Sequence, residues 1–309
     1  MTAIRNWTPQ CLTDQTGKTF AITGANSGIG FQAARLLAKR GARVILLCRD
    51  PDRASGAAQA IAAEVKGGEG STDIIAIDLG NLASIRAAAA ELLSRVASLD
   101  GLVLNAGAMM PPERLETSDG FELQFGVNHL GHFLLAALVQ EKVRACAGRF
   151  VSVSSTMHKL GKIRTDDPNW RKSYDASAAY SQSKLANALF ILALNEKLSA
   201  RGEAANGYLC HPGYAATPLQ TKHTRGLTTK MMEVGNLVMA QSAARGSWPT
   251  VLCTADPDAN PGVYYGPTGL FELRGGVGVC KLAARAEDRA MAEKLWTLSE
   301  EAVDHRWAL

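Results

Sequence analysis

The sequence lacks the patterns that would direct the protein to a membrane, to secretion or to a nucleic acid. Residues 1–10 contain no apolar segment of the kind that forms a signal peptide. The longest apolar runs, Phe133–Val139 and Leu185–Leu194, are too short to cross a bilayer. The net charge is only +4 and there is no long basic run, so nothing indicates nucleic-acid binding. We therefore expect a soluble protein with no membrane span and no nucleic-acid partner.

Closely spaced cysteines, linkers and internal repeats are also missing. The six cysteines are scattered without a C-x-x-C pair, which argues against a zinc site or a disulfide framework and fits reduced thiols in a cytoplasmic protein. We predict no metal site. With 309 residues, 47% of them hydrophobic and 20% charged, the chain has the composition of a globular protein. Since no linker divides it, we expect one domain over residues 1–309.

Short apolar runs alternate with helical segments along most of the chain. The predicted strands are Lys18–Thr23, Ala42–Cys48, Asp73–Ile77, Gly101–Leu104, Arg149–Ser155, Asn206–Cys210 and Gly262–Tyr265. The predicted helices include Phe31–Arg40, Asp52–Val65, Ser84–Val96, Leu130–Val143 and Ala286–Val303. Apolar strands separated by helices are typical of a parallel sheet that is buried on both faces. We predict an α/β fold, a doubly wound parallel sheet of about seven strands with helices on both faces.

A glycine-rich turn follows the first predicted strand and opens the first helix. It reads Gly24-Ala25-Asn26-Ser27-Gly28-Ile29-Gly30, with the spacing G-x3-G-x-G. At a helix N-terminus, backbone N–H groups and the helix dipole attract a phosphate, and glycines let the backbone approach it. The spacing differs from the G-x-G-x-x-G of many dinucleotide-binding folds, and a tight turn without a ligand is the alternative. With a strand before it and a helix after it, the turn favours a nucleotide site.

The second predicted strand ends in Cys48, and Arg49 and Asp50 follow it. In doubly wound folds an acidic residue about 20 positions beyond the glycines binds the ribose 2′-hydroxyl, whereas an arginine accommodates a 2′-phosphate. Arg49 can pair with a 2′-phosphate and stack on an adenine, although an ordinary surface arginine is the alternative. We favour NADP(H) as the cofactor, and Asp50 keeps NAD(H) as the second choice.

Tyr180 and Lys184 lie four residues apart in the stretch A-A-Y-S-Q-S-K. On a helix this spacing puts both side chains on one face. A nearby ammonium group favours the phenolate and so lowers the pKa of a tyrosine from its usual value of about 10. The pair could then act as a general acid and base, although two such residues also meet by chance on many helices.

Taken together, these features resemble the short-chain dehydrogenase/reductase family over about residues 15–300. The shared marks are the T-G-x3-G-I-G turn from Thr23 to Gly30, Asn105-Ala106-Gly107, the helix residue Asn128, a serine ending the fifth strand, Tyr180-x3-Lys184 and Pro212-Gly213-x3-Thr217. Each mark is weak alone, but they occur in the expected order and at the expected elements. The resemblance implies a Rossmann-like fold and an oxidoreductase that interconverts a carbonyl and an alcohol with a nicotinamide cofactor.

Within this family the sequence is similar to the branch of retinol dehydrogenases and protochlorophyllide reductases. That likeness lies in Leu47–Asp50, in S-S-x2-H at Ser154–His158 and in Y-S-Q-S-K-L-A-N at Tyr180–Asn187. Tyr180 follows Ser155 by 25 residues, a longer interval than in many members, and the additional residues around Lys162–Trp170 look like the insertion of that branch. The N-terminal anchor of the membrane-bound retinol enzymes is not visible, which puts retinol itself in doubt.

The resemblance assigns a role to each matching residue. Tyr180 would be the general acid and base, Lys184 would lower its pKa and bind the nicotinamide ribose, and Ser155 would hold the substrate oxygen. Ser155 is chosen over Ser154 because successive strand residues face opposite ways and the interval of the branch selects the second serine. Asn128 would connect Lys184 to solvent through a water, whereas without the family it reads as a capped or hydrated helix kink. The implied cofactor contacts are Gly24, Asn26, Ser27, Gly28, Ile29, Gly30, Arg49, Asp78, Leu79, Asn105, Ala106, Gly107, Tyr180, Lys184, Pro212, Gly213 and Thr217.

Substrate specificity is expected in the segment of about residues 214–250, which is rich in leucine, valine and methionine. The segment is predicted either as a lid over a small-to-medium hydrophobic carbonyl or alcohol, or as an amphipathic helix packed on the core. His158 could contact the substrate, but a histidine in this place is more often a surface or loop residue. The resemblance further implies a homo-oligomer, with a homodimer and a homotetramer as the two forms considered.

Three other functions stay open on the sequence alone. One is an NAD-dependent alcohol dehydrogenase of the same family. A non-catalytic NADP-binding regulator would keep the phosphate turn, but it would not need the set of Ser155, Tyr180 and Lys184. A sugar-nucleotide epimerase of the related extended group would typically carry T-G-x-x-G-x-x-G, which differs from the spacing found here.

Overall fold

The computed structural model of the protein describes residues 4–65, 70–214 and 241–309. Its strands are β1 Thr19–Thr23, β2 Arg43–Cys48, β3 Ser71–Ala76, β4 Gly101–Leu104, β5 Arg149–Val153, β6 Asn206–Cys210, β7 Tyr264–Pro267 and β8 Val277–Val279. They form one eight-stranded sheet in the order β3-β2-β1-β4-β5-β6-β7-β8. Neighbouring strands are parallel except β7 and β8, which run antiparallel.

Helices cover both faces of this sheet, as the alternation of the sequence predicts. The longer helices in the described ranges are α1 Gly28–Ala38, α2 Pro51–Glu64, α3 Leu82–Arg95, α4 Gly131–Arg144, α5 Ala176–Ala200, α6 Trp248–Ala255 and α7 Arg289–Ala302. Apolar residues of α3, α4, α5 and α7 form the core on one face, and those of α1, α2 and α6 form it on the other. The predicted Rossmann-like α/β arrangement is therefore confirmed. Within the part of the chain that the structure describes, no helix combines the length and the apolar character needed to span a bilayer.

Several element bounds differ from the predicted ones for local reasons. Helix α1 begins at Gly28 rather than Phe31, because the glycine turn itself supplies the first helical residues. Strand β5 ends at Val153, so the two following serines lie outside the sheet. Helix α7 begins at Arg289, because the Asp288 side chain accepts a hydrogen bond from the backbone of Met291 and caps the helix there.

Strand β8 is not predicted by the sequence pattern. It is only three residues long, has a glycine at its centre and so carries no apolar run. The strand is defined by its backbone partners alone. It pairs with β7 on one side, and on the other side the backbone N–H of Trp7 donates to the backbone oxygen of Val277 at 3.0 Å. The sheet thus has eight strands rather than about seven.

A buried hydrogen-bond network joins β1, β4 and α4 where the strand order reverses. The Thr23 hydroxyl accepts the backbone N–H groups of Asn105 and Ala106 at 2.9 and 3.0 Å. It also lies 2.9 Å from Nε2 of His132, whose Nδ1 lies 3.0 Å from the backbone oxygen of Asn128. Because a carbonyl oxygen only accepts, Nδ1 carries the ring proton and Nε2 accepts from the Thr23 hydroxyl. We call these five residues the His132 network; it fixes the edge of the sheet where ligands bind in such folds.

An aromatic cluster closes the core on the α4 side of the sheet. Trp307, which follows α7, lies 5.4 Å from Phe133, 5.9 Å from Phe190 and 4.9 Å from Trp296, measured between ring centres. Its side chain is buried, and its backbone N–H donates to the Glu300 carboxylate at 2.9 Å. The residues after α7 are thereby tied to the core.

Replacing Trp307 by alanine should lower the free energy of unfolding by about 3–5 kcal/mol, because it leaves a cavity among three aromatic rings. Urea denaturation followed by circular dichroism measures this change. Phe271→Ala is the matched control, since that ring is 78% exposed, and it should change stability by less than about 0.5 kcal/mol. Similar losses in the two variants would contradict the cluster's role.

The His132 network should make the stability depend on pH. Burial lowers the pKa of His132 to about 4, below the value of about 6.5 expected in the unfolded chain. The unfolded state then binds more protons, so this stabilisation is complete above about pH 6.5 and is lost as the pH falls towards 4. We expect His132→Gln, although less stable at neutral pH, to lose stability less steeply over this range, by up to about 1.4 kcal/mol per pH unit. Parallel urea titrations of the two proteins test this, and identical slopes would contradict it.

Candidate active site

The glycine turn between β1 and α1 has the geometry of an anion site. Gly24 and Gly28 adopt left-handed backbone conformations, with φ of 67° and 56°. A side chain on Gly30 would place its Cβ 2.5 Å from the backbone oxygen of Gly24 and from the Asn105 amide. Ser27 makes no side-chain cap, and the first turn of α1 contains no acidic residue. The N-terminal amides of α1 therefore fit a dinucleotide phosphate.

Arg49 and Asp50 have different surroundings at the end of β2. The Asp50 carboxylate caps α2 by accepting the backbone N–H groups of Asp52 and Arg53, both at 3.1 Å. Arg49 is exposed and forms no ion pair with any residue in the described ranges. Arg53, which the sequence pattern does not single out, lies close enough for its charge to act on the thiol of Cys48.

The segments after β3 and β4 form the next part of the site. The Asp78 carboxylate accepts the backbone N–H of Gly80 at 2.9 Å, and Leu79 is buried. The Asn105 side chain donates to the backbone oxygen of Thr23 at 2.9 Å. Asn105 therefore joins β4 to β1, which the N-A-G pattern alone does not indicate.

Asn128 lies in a π-helical turn, Gly126–Leu130, directly before α4. Its side-chain oxygen accepts the backbone N–H of Ala108 at 2.7 Å. Its side-chain nitrogen donates to the Ala108 oxygen and to the Ser183 hydroxyl, both at 2.9 Å. Single π-helical turns are frequent at functional sites. Here the turn allows Asn128 to hold the loop after β4 against α5.

The two serines after β5 have different partners. The Ser154 hydroxyl is buried and donates to the backbone oxygen of Lys184 at 2.8 Å. The Ser155 side chain lies next to the phenol of Tyr180, where hydrogen bonding to it lowers the pKa of the phenol, and the Ser155 oxygen accepts the backbone N–H of Met157 at 3.2 Å. The structure therefore brings Ser155, the serine selected from the sequence, next to Tyr180.

Tyr180 and Lys184 share one buried face of α5, as their spacing predicts. The Lys184 nitrogen lies 5.7 Å from the centre of the Tyr180 ring and donates to the backbone oxygen of Val153 at 3.0 Å. A Cβ on Gly107 would lie 3.9 Å from that nitrogen and 3.0 Å from the Asn128 side-chain oxygen. Serine, tyrosine and lysine are thus gathered at one point beside the loop after β4.

Burial shifts the protonation of this pair in opposite senses. It raises the pKa of Tyr180 to about 12, although the hydrogen bond with Ser155 acts in the opposite direction. It lowers the pKa of Lys184 to about 8. At pH 7 the phenol is protonated and the lysine is mostly charged. The lowered tyrosine pKa predicted from the sequence is not found here, because the loss of phenolate hydration outweighs the hydrogen bond.

The loop after β6 approaches the segment that precedes β8. Gly213 has a φ of 68°, and Tyr214 donates its backbone N–H to the oxygen of Leu273 at 2.8 Å. Pro212 accepts a hydrogen bond from the Gln241 side chain. Thr217 and residues 215–240 of the predicted lid lie outside the described residues.

His158 is completely buried in the 3-10 turn Thr156–Leu160, so it belongs to the connection between β5 and α5, as one alternative predicts, but it is not a surface residue. Its ring bonds to the backbone of Ser155 and of Ala283 instead of facing solvent.

One group of side chains among the described residues has the composition of metal ligands. The ligand atoms of His211, Glu272 and Cys280 lie within 4.8 Å of one another. However, Glu272 forms an ion pair with Lys159 at 2.6 Å, and burial raises the pKa of Cys280 to about 12. Two of the three groups are therefore poor ligands at neutral pH.

Comparison with known proteins gives the family. A sequence model described as short chain dehydrogenase matches residues 18–228. Retinol dehydrogenase 13 of Homo sapiens is 40% identical over 291 residues, which cover 92% of this chain and 83% of that protein. Retinol dehydrogenase 12 of Mus musculus is 37% identical over 298 residues, which cover 94% and 88%.

A solved structure supports the same relationship. The crystal structure of an uncharacterised protein from Mycobacterium paratuberculosis is 36% identical, with a TM-score of 0.80 and coverage of 98% of this chain and all of that one. The family resemblance read from the motifs is thereby confirmed. The chain belongs to the short chain dehydrogenase family, on the branch of its retinol dehydrogenase relatives, and is an oxidoreductase that acts on CH–OH and C=O groups.

Proposed function

We propose that the protein is an NADP(H)-dependent oxidoreductase that interconverts a carbonyl and an alcohol on a small-to-medium hydrophobic substrate. This proposal is carried by one observation: Ser155 lies next to the buried side chains of Tyr180 and Lys184, beside the loop after β4. A nucleotide-binding regulator would need the turn but not these three side chains together.

Each residue of this set has a separate task. A bound nicotinamide would supply the hydride that the carbonyl carbon accepts, or take the hydride that the alcohol carbon loses. In reduction, the O–H bond of Tyr180 breaks and its proton goes to the carbonyl oxygen as that oxygen becomes a hydroxyl. The Ser155 hydroxyl donates a hydrogen bond to the same oxygen, and the Lys184 charge stabilises the phenolate that is left. Oxidation reverses each transfer.

Three methionines that lie close in sequence to residues of the site support a hydrophobic substrate. Met109 and Met110 follow Gly107, Met157 follows Ser155, and all three are partly buried. Methionine side chains adapt to apolar ligands of different shape. The relatives named retinol dehydrogenases point in the same direction, towards apolar alcohols and aldehydes.

The preference for NADP(H) rests on the unequal positions of Arg49 and Asp50. The Asp50 carboxylate is engaged in capping α2, so it is poorly placed to bind ribose hydroxyls as well. Arg49 is exposed at the end of β2 and available for a 2′-phosphate. We also propose a cytoplasmic location, which the six unpaired cysteines support.

Removing the phenol hydroxyl should remove most of the activity. We expect Tyr180→Phe to reduce turnover at least about a hundredfold, since general acid catalysis contributes about that much or more, and to leave NADPH affinity unchanged. The assay follows NADPH absorbance with a panel of apolar aldehydes and ketones that includes retinal. Tyr208→Phe is the matched control, because it removes a buried phenol hydroxyl from β6 and should keep full activity. Normal turnover in Tyr180→Phe would refute the assignment, and NADPH binding without turnover of any substrate by the wild type would favour a regulator.

Removing the guanidinium group should change the choice of cofactor. We expect Arg49→Ala to bind NADPH at least about tenfold more weakly, a loss of about 1.4 kcal/mol, and NADH with unchanged affinity. Fluorescence titration with both cofactors measures this directly. Arg201, exposed after α5, is the control position, and Arg201→Ala should bind both cofactors like the wild type. Equal weakening of NADPH and NADH by Arg49→Ala would contradict a contact with the 2′-phosphate.

A further inference from the structure

His158 lies three residues after Ser155, in the 3-10 turn Thr156–Leu160. The Ser155 backbone oxygen accepts two hydrogen bonds from this residue, one from its backbone N–H at 3.0 Å and one from its ring Nδ1 at 2.7 Å. The other ring nitrogen, Nε2, lies 3.1 Å from the backbone nitrogen of Ala283, which follows β8. The ring therefore bridges two segments that are far apart in the sequence.

The partners fix the state of the ring. A carbonyl oxygen only accepts and a backbone N–H only donates, so Nδ1 must carry the proton and Nε2 must accept. Only the neutral ring in this tautomer makes both bonds. In an imidazolium Nε2 would also carry a proton, which would point at the backbone N–H of Ala283 and leave two donors without an acceptor. Burial lowers the pKa of His158, which keeps the ring neutral near pH 7.

The surroundings hold the ring in one orientation. Its edge packs on Tyr264 of β7, with ring centres 5.0 Å apart and planes at 79°. Tyr264 in turn packs on His211 at 4.8 Å. The backbone of Ser155 is thus fixed by β5 before it and by the β7–β8 region through His158. The hydroxyl of Ser155 must point towards the phenol of Tyr180. The direction of this hydroxyl therefore depends on how the Ser155 backbone is held.

We propose that His158 is a positioning residue, whose neutral ring ties the backbone oxygen of Ser155 to the backbone of Ala283 and thereby aims the serine hydroxyl at the substrate oxygen. This inference rests on the proposed function, in which Ser155 holds that oxygen. We call the two ring bonds the His158 clamp.

Two substitutions separate the clamp from simple filling of space. His158→Asn keeps an amide donor near the place of Nδ1, whereas His158→Phe keeps the volume and makes neither bond. We expect kcat to fall about ten- to a hundredfold in His158→Phe, because a shift of about 1 Å in a reacting group can cost about a hundredfold. His158→Asn should recover most of the loss, and both variants should bind NADPH normally. Trp307→Ala controls for destabilisation alone and should keep the wild-type kcat.

A double-mutant cycle shows whether His158 acts through Ser155. If His158 acts only by orienting the Ser155 hydroxyl, its substitution should have no further effect once that hydroxyl has been removed. We therefore expect Ser155→Ala combined with His158→Phe to have nearly the same kcat as Ser155→Ala alone. Losses that multiply in the double variant, or no loss in His158→Phe alone, would overturn the proposal.

A measurement without turnover keeps the clamp separate from the proposed function. Long-range ¹⁵N–¹H spectra of the labelled full chain at pH 7 should show the Nδ1–H tautomer for both His132 and His158, and one of these two ring signals should be absent from His158→Asn. The Nε2–H tautomer or an imidazolium at His158 would overturn the clamp. An Nδ1–H ring in a wild-type protein that reduces no carbonyl would support the clamp and refute the proposed function instead.

Discussion

The structure of the site depends on one buried hydroxyl, that of Thr23 at the end of β1. It accepts two backbone N–H groups from the loop after β4 and donates to the neutral ring of His132. That ring holds the backbone oxygen of Asn128, and the Asn128 side chain holds both the loop after β4 and α5. One hydroxyl therefore sets the distance between the phosphate turn and the helix that carries Tyr180 and Lys184. The bonds from Thr23 to His132, from His132 to Asn128 and from Asn128 to Ser183 are buried, so each group left unpaired there would cost about 1–3 kcal/mol.

The same region admits only one buried positive charge. Burial lowers the pKa of His129 to about 3 and that of His132 to about 4, and the charge of Lys184 acts on His132 in the same direction. Lys184 also loses hydration, which lowers its own pKa to about 8, but it stays mostly charged at pH 7 because it starts from a much higher value. The neutral histidines serve as hydrogen-bonding groups, His129 to Ser299 and His132 to Thr23 and Asn128, while Lys184 supplies the charge beside which the phenol reacts. This division of roles explains how several basic side chains can be packed together without repulsion.

Much of the fold and of the site could be predicted from the sequence because local patterns encode it. Apolar strands, the glycine turn and the Tyr180–Lys184 spacing depend on neighbours within one turn or one strand, and the structure contains all of them. What the sequence could not supply are partners that meet only across the fold. Thr23 with His132, the capping use of Asp50, and His158 with Ala283 are examples. Strand β8 was missed because three residues around a glycine acquire their conformation from β7. The raised tyrosine pKa was missed because burial is a property of the assembled core.

These long-range partners bear on the choice between an enzyme and a nucleotide-binding regulator. A phosphate turn needs only β1, α1 and their glycines, and all of them lie in the first part of the chain. Ser155, Tyr180 and Lys184 are supported by separate devices: the π-helical turn, the bond from Lys184 to Val153 and the bonds from His158 to Ser155 and Ala283. A binding module would gain nothing from orienting a serine, a phenol and an ammonium group towards one point. Because burying a polar group costs free energy unless it is paired, the paired side chains of Asn128, Lys184 and His158 around this point are best explained by a reaction that takes place there.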